Sequence, residues 1–291
     1  MKALKTPLRY PGGKSKAIKT LAQWYPKVIT EYREPFIGGG SIAIDITKAN
    51  PDIPVWVNDL YVPLYNFWVQ LRDRGEELSE RVRHEKQKTL DEGDPDKITA
   101  KAKELFNKYK AEIDTYDDFE KAVAFFIMNK CSFSGLTENS TFSKTASNSN
   151  FSLVGADKLA KFSELIKNWK ITNIDYSEVM KAKGYADTFI FLDPPYDIKD
   201  FLYGKNREMH KSFDHDLFAD NVSMCIHKFM ITYNLNDRLL DLYKNYNLKE
   251  WKLRYSMAHR GDKGTNENIK TELLVTNYEV NPTNTLQEML Y

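Results

Sequence analysis

The stretch "VITEYREPFIGGGSIAIDITKANPDIPVWVND", residues 28–59, decides the fold. A β-branched run leads into the glycine triplet Gly38-Gly39-Gly40, apolar residues then recur at helical spacing, and "IPVWVND" at 53–59 reads as a short buried strand. Strand, glycine-rich turn, helix and strand make a β-α-β unit, which belongs to a parallel sheet that collects its ligands at the carboxyl ends of its strands. The same alternation returns after residue 170. Strands are expected in "KITNID" (170–175), "TFIFLDPPY" (188–196) and "FMITYN" (229–234), with helices in "DHDLFADNVSMCIHKF" (214–229) and "DRLLDLYKN" (237–245). Late strands follow in "LKEWKLRYSM" (248–257) and "KTELLVTNY" (270–278), so a sheet begun before residue 60 is completed after residue 170.

Between these halves, residues 66–154 change character. The run "EELSERVRHEKQKTLDEGDPDKITAKAKELFNKYKAEIDTYDD" (76–118) is dense in charge and helical in pattern, and it closes with the more apolar "DFEKAVAFFIMNK" (118–130). This predicts an inserted, mostly helical subdomain over 66–154, flanked by core segments 1–65 and 155–291. Next comes "CSFSGLTENSTFSKTASNSNFS" (131–152), a Ser, Thr and Asn stretch punctuated by Phe133, Phe142 and Phe151. It is either a polar loop or a hairpin that reads nucleic acid. Upstream, "SKAIKTLAQWYP" (15–26) predicts a helix stopped by Pro26.

At 291 residues and 42% hydrophobic the chain can bury a substantial core. Its 42 Lys and Arg nearly balance 41 Asp and Glu, so any nucleic acid must be held by local patches rather than by a global basic field. Cys131 and Cys225 fit no metal-ligand spacing and read as reduced thiols. With no charged-then-apolar leader and no apolar run long enough to span a bilayer, a soluble cytoplasmic protein without a metal is expected.

The opening "PLRYPGGKSK" (7–16) invites comparison with a phosphate-binding loop through Gly13-Lys14-Ser15. That loop needs a glycine five positions before its second glycine, where this chain has Leu8, and a buried strand leading in, where "MKALKTPLRY" carries lysines, an arginine and a proline. Pro11-Gly12-Gly13 is left as a turn that something approaches closely. The triplet at 38–40 also lacks G-x-G-x-x-G spacing, with Ser41 and Ala43 in place, which weakens a dinucleotide reading.

Asp193-Pro194-Pro195-Tyr196 carries the most chemistry. Two prolines cannot continue a strand, so "TFIFL" must stop there and pass into a rigid turn at the sheet's carboxyl edge. An acid, a backbone carbonyl and an aromatic face coincide. This trio suits methyl transfer to an exocyclic amine, whose lone pair is delocalised into its ring. Asp193 and the Pro194 carbonyl could accept the two amine hydrogens while Tyr196 stacks on the base.

In order along the chain, "RYPGGK", "EPFIGGGS", "NKCSFSGLT" and "FLDPPY" resemble the motifs of the Dam-like, D12-class DNA adenine-N6 methyltransferases, which use S-adenosylmethionine. The resemblance implies a Rossmann-like methyltransferase core with an inserted target-recognition subdomain. It makes Asp193, Pro194 and Tyr196 catalytic. It gives Tyr10, Lys14, Glu34, Pro35, Phe36, Gly38, Gly40, Asp59, Asp175 and Asp193 to the cofactor, with Lys14 facing a carboxylate. Lys130, Ser132, Phe133 and Ser134 become DNA contacts around an adenine flipped from the duplex. Double-stranded DNA is the implied partner and a cognate restriction endonuclease a possible one. The hairpin departs from the family in having only Lys144 as a basic residue between 131 and 153, so no guanine-containing site is implied. Arg260, Lys263 and Lys270 are candidates for phosphate contact, and His215 beside Asp214 reads as structural. Other planar amines, in RNA, on cytosine N4 or on protein glutamine, fit the same tetrapeptide; a nucleotide-dependent oxidoreductase and a silent DNA-binding module are the readings from other classes.

Overall fold

The structure, a computed structural model, describes residues 4–135, 140–196, 213–254 and 269–280. Seven strands form one sheet in the order β3-β2-β1-β4-β5-β7-β6. They are β1 Glu31–Glu34, β2 Val55–Asn58, β3 Lys170–Thr172, β4 Thr188–Leu192, β5 Lys228–Asn234, β6 Asn247–Arg254 and β7 Ile269–Thr276. The first five run parallel; β7 lies antiparallel to β5 and β6. The expected β-α-β unit is present, with α2 (Ser41–Ala49) crossing from β1 to β2.

The central strand β1 is the charged tetrapeptide Glu31-Tyr32-Arg33-Glu34, not the β-branched "VIT" before it, and all four residues are buried. Burying a charge without a partner is costly, and here Arg33 and Glu31 pair with each other. Arg33 donates to Glu31 at 2.9 Å and to the carbonyls of Val179, Ala182 and Lys183, while Thr188 Oγ1 donates to Glu31. These bonds tie β1 to β4 and to α9 (Tyr176–Lys181). The predicted helix at 15–26 is instead broken into a 3-10 turn Lys14–Lys16, a single α turn α1 (Ile18–Leu21) and a second 3-10 turn Ala22–Trp24. No side-chain cap closes any of the three pieces, and Lys14 is turned inward.

Helices α3 (Val62–Asp73), α4 (Gly75–Leu90), α5 (Pro95–Glu112), α6 (Asp118–Cys131), α7 (Lys144–Asn150) and α8 (Leu153–Ile166) follow β2. Their apolar faces join the sheet's own core: Leu64, Phe67, Trp68, Phe106, Phe126 and Phe162 pack in one cluster with Tyr32, Val57 and Phe189. Residue 66 lies inside α3 and residues 154 and 155 inside α8, so the expected seams cut two continuous helices. Both helices also face the sheet layer, α3 against β3 and α8 against α2. A second cluster, centred on Phe218, Ile231 and Tyr233, fills the other face beneath α10 (His215–Ser223) and α11 (Asp237–Leu242). Among the described residues no helix is long and apolar enough to cross a membrane, and no group of three His, Cys, Asp or Glu could hold a metal ion.

Candidate active site

The parallel strands end together, so the residues that follow them meet at one edge. Leu192 pairs with Ile231 across β4 and β5, which sets Asp193 beside Thr232. Thr232 Oγ1 donates to Asp193 Oδ1 at 2.8 Å. Lys14 Nζ donates to both Asp193 oxygens, at 2.7 and 2.6 Å, and to the Gly12 carbonyl at 3.1 Å. Its side chain is only 3% exposed, so this ion pair is screened from water far more than a surface pair. The lysine of the opening turn thus faces a carboxylate of the chain itself. Its ammonium also lies 5.1 Å from the centre of the Tyr196 ring. That ring is fixed at its far end: Tyr196 Oη donates to Glu272 Oε2 at 2.8 Å. Pro194 is buried between these two residues of the turn.

The glycine triplet makes room for aromatic rings. Gly38 and Gly40 have φ of +47° and +65°, and a Cβ at Gly38 would fall 2.8 Å from the Tyr10 ring, one at Gly40 2.7 Å from Trp68. Gly40 therefore cannot carry the side-chain oxygen that usually caps a helix, although it sits at the N-cap of α2. Glu34 supplies that oxygen from the neighbouring strand, with Oε2 accepting from Ala43 N at 2.9 Å and from Tyr32 Oη at 2.7 Å. The Glu34 side chain is thus bonded into the protein rather than directed at a ligand. Burial, reinforced by nearby Asp193 and opposed by these two donors and by Lys14, pushes Glu34 up to about 8. Pro35 offers its carbonyl to Asn58 Nδ2 at 3.1 Å.

Asp59, just past β2, accepts from Gly38 N and Tyr61 N, both at 3.0 Å. Burial raises it to about 6 against the pull of those two amides. Asp175 is exposed and caps α9, accepting from Ser177 N at 2.9 Å. The next residue, Tyr176, packs its ring 5.4 Å from Phe36, which also meets Phe213 and Phe218. Two acids and a group of rings at the ends of β1, β2 and β3 form a donor set suited to an adenosine: carboxyls for hydroxyl and amine hydrogens, apolar faces for the base. The residues present fit S-adenosylmethionine.

The segment expected to read DNA is only partly exposed. Among the described residues of the expected hairpin, Ser132 and Phe142 form one antiparallel bridge, and the chain then enters α7. Phe151 is buried and Phe142 packs edge-on against Phe106 at 5.9 Å, which makes both core residues; Phe133 is 63% exposed. Ser132 is fully buried, with Oγ 3.4 Å from the Asn129 carbonyl, so its place is inside the hairpin rather than on a DNA-facing surface. Lys130 is half-buried, and its Nζ donates to the Pro7 carbonyl at 2.5 Å. Burial, with Arg9 and Lys158 adding repulsion, brings it down to about 7. The Ser134 side chain and the candidates Arg260 and Lys263 lie outside the described residues, whereas Lys270 is exposed on β7.

Several members of this edge escaped the sequence reading. Thr232 and Glu272 sit inside apolar strands with no motif around them. His215, expected only as a structural residue, bonds through Nδ1 to Tyr233 Oη at 2.8 Å, and Tyr233 in turn packs 6.1 Å from Tyr196. Asn129 joins the hairpin to the opening turn: Nδ2 donates to the carbonyls of Arg9 and Gly135, Oδ1 accepts from Arg9 N, and Arg9 Nη1 reaches the Ser132 carbonyl. A Cβ at Gly135 would meet the Arg9 carbonyl oxygen at 2.2 Å, so only glycine fits there. Asn129 could have been suspected from its place at the end of an apolar helix.

Comparison with known proteins identifies the family. The model of the family described as D12 class N6 adenine-specific DNA methyltransferase matches residues 10–257. Type II methyltransferase M.MjaIII of Methanocaldococcus jannaschii is 24% identical over 294 residues, covering 93% of this chain and 98% of that protein. Type II methyltransferase M1.LlaDCHI of Lactococcus lactis subsp. cremoris is 24% identical over 289 residues, covering 93% and 94%.

Proposed function

This chain belongs to the D12 class N6 adenine-specific DNA methyltransferases, and from that membership we propose how its own residues carry out the transfer. It is a site-specific DNA methyltransferase acting on the exocyclic N6 amine of adenine, and its sheet is the Rossmann-like core of that enzyme class. The methyl donor is S-adenosylmethionine, which when bound supplies an electrophilic methyl group on a sulfonium sulfur. Asp59 and Asp175 would hold the donor's ribose and adenine, with Phe36 as an apolar face for its base, and Gly38 and Gly40 would shape the turn beneath it together with Tyr10 and Pro35. Glu34 acts from below, by fixing α2 behind that turn.

Adenine N6 is a poor nucleophile because its lone pair is delocalised. Asp193 Oδ and the Pro194 carbonyl accept its two hydrogens, which turns the lone pair out of conjugation and toward the methyl group; Asp193 takes the proton that the amine sheds. Lys14 and Thr232 clamp Asp193 in the one orientation that serves this, and Tyr196 is the face on which the flipped base stacks. The double clamp on Asp193 is the observation that carries the proposal. Among the described recognition candidates Phe133 is the one most open to DNA, with Ser134 and Lys130 near it in sequence. The relatives' names as Type II methyltransferases favour a restriction-modification setting in a prokaryotic or phage cytoplasm, with a cognate endonuclease as partner.

Transfer of tritiated methyl from S-adenosylmethionine to unmethylated duplex DNA, RNA and protein tests this reading. Label in DNA alone, recovered as N6-methyladenine and lost in Asp193→Ala, is expected. Label confined to RNA or protein, or full transfer by Asp193→Ala, would overturn it.

A further inference from the structure

Tyr196 can stack a base only if its ring is held still, and the described structure holds it at the phenol end. Glu272 lies on β7, opposite Asn234 of β5 and Trp251 of β6, so its backbone is fixed on both sides by the sheet. Its side chain is 1% exposed, an unusual position for an acid, and its Oε2 accepts from Tyr196 Oη at 2.8 Å. Tyr233, one strand over, supports the same ring at 6.1 Å and is itself tied to His215. The Lys14 ammonium sits over the same ring, 5.1 Å from its centre. A phenol donating to a carboxyl oxygen has a more electron-rich ring, which strengthens attraction to a cation or an electron-poor purine.

We propose that Glu272 is a positioning residue for the methyl transfer: it anchors the Tyr196 hydroxyl from β7 and so fixes the plane on which the target adenine stacks. This inference rests on the stacking role assigned above to Tyr196. Glu272 touches neither substrate nor donor. Its effect appears in the placement of the flipped base and in the chemical step, and is absent from donor affinity.

The test uses the full chain with Tyr196→Phe, Tyr196→Ala, Glu272→Ala, Glu272→Gln and the double variant Tyr196→Phe/Glu272→Ala. Three quantities are read: single-turnover methylation rate, affinity for S-adenosylhomocysteine, and fluorescence of duplex DNA carrying 2-aminopurine at the target position, which stacking on Tyr196 quenches. Loss of a hydrogen bond to an acidic acceptor predicts about a tenfold to hundredfold slower single turnover in Tyr196→Phe, with brighter 2-aminopurine and unchanged donor affinity. Glu272→Ala shows the same changes, Glu272→Gln recovers most of the rate because its amide oxygen still accepts, and the double variant is no slower than either single one. Tyr196→Phe removes only a hydroxyl at the edge of the site, so it reports even if Glu272→Ala fails to fold. Full activity in Tyr196→Ala would refute the stacking reading itself. Impaired Tyr196→Ala beside unimpaired Tyr196→Phe, or losses that multiply in the double variant, would leave stacking intact and overturn the role of Glu272.

Discussion

Replacing Glu34 by glutamine separates its charge from its hydrogen bonds, because both of its donors, Ala43 N and Tyr32 Oη, meet the same oxygen, Oε2. A glutamine amide oxygen placed there keeps both bonds and removes the ionisation. The carboxyl has an ordinary value of 4.5 and is pushed up to about 8 in the fold, chiefly by burial. That gap corresponds to about 5 kcal/mol of linkage between protonation and folding. The sign follows from which state holds the proton. Below pH 4.5 both states are protonated, and the contribution is fully present. As pH rises, the unfolded chain releases a proton that the native state retains, so stability falls until the folded group also ionises near pH 8. By pH 7 about 3 kcal/mol is gone. Glu34→Gln lacks this slope. Urea denaturation of both proteins from pH 5 to 9 therefore predicts near-equal stability at the acid end. The variant then gains about 3 kcal/mol at pH 7 and about 5 kcal/mol at pH 9. Taking the difference between the two proteins cancels the titrating groups that do not interact with Glu34. Curves that stay parallel across the range would refute the assignment, as would a variant less stable than the parent throughout.

Thr232→Val deletes the Oγ1 bond to Asp193 while keeping the side-chain volume, and single-turnover rates should fall about tenfold to hundredfold with the melting temperature little changed. Gly40→Ala places a Cβ 2.7 Å from Trp68 at a φ of +65°, so chemical denaturation should show a loss of about 2–4 kcal/mol. Phe133→Ala should weaken duplex binding about tenfold by fluorescence anisotropy without lowering stability, since the ring is mostly exposed. Ser132→Ala, at a fully buried residue, should leave DNA affinity unchanged.

The sequence showed most clearly those parts of the molecule where chemistry and chain direction change together. "TFIFLDPPY" has to be a strand stopped at the carboxyl edge, because its prolines permit nothing else, and β4 ends at Leu192. Gly38 and Gly40 were legible as a turn, but their reason was not: the rings of Tyr10 and Trp68, 28 and 28 residues away in opposite directions, come within a carbon's reach only in the fold. The charged strand β1 was misplaced because its Glu31, Arg33 and Glu34 look like surface residues until the partners on β4, α2 and α9 are known. Thr232 and Glu272 belong to the same class. Each is one polar residue in an apolar strand, and register, which local sequence does not carry, sets them against Asp193 and Tyr196. The charge-rich run 76–118 was legible as helices, but the continuity of α3 and α8 across residues 66 and 154 was not, because each buries one face on the sheet layer and another on α6 or α4.

The most direct test of the account is long-read sequencing of genomic DNA from a methylation-deficient host that expresses the protein, beside a host that expresses Asp193→Ala. N6-methyladenine confined to one short sequence context, and absent with the variant, is the predicted result. Genomic DNA left unmodified by soluble protein that binds S-adenosylhomocysteine, or methylation that persists with Asp193→Ala, would contradict it.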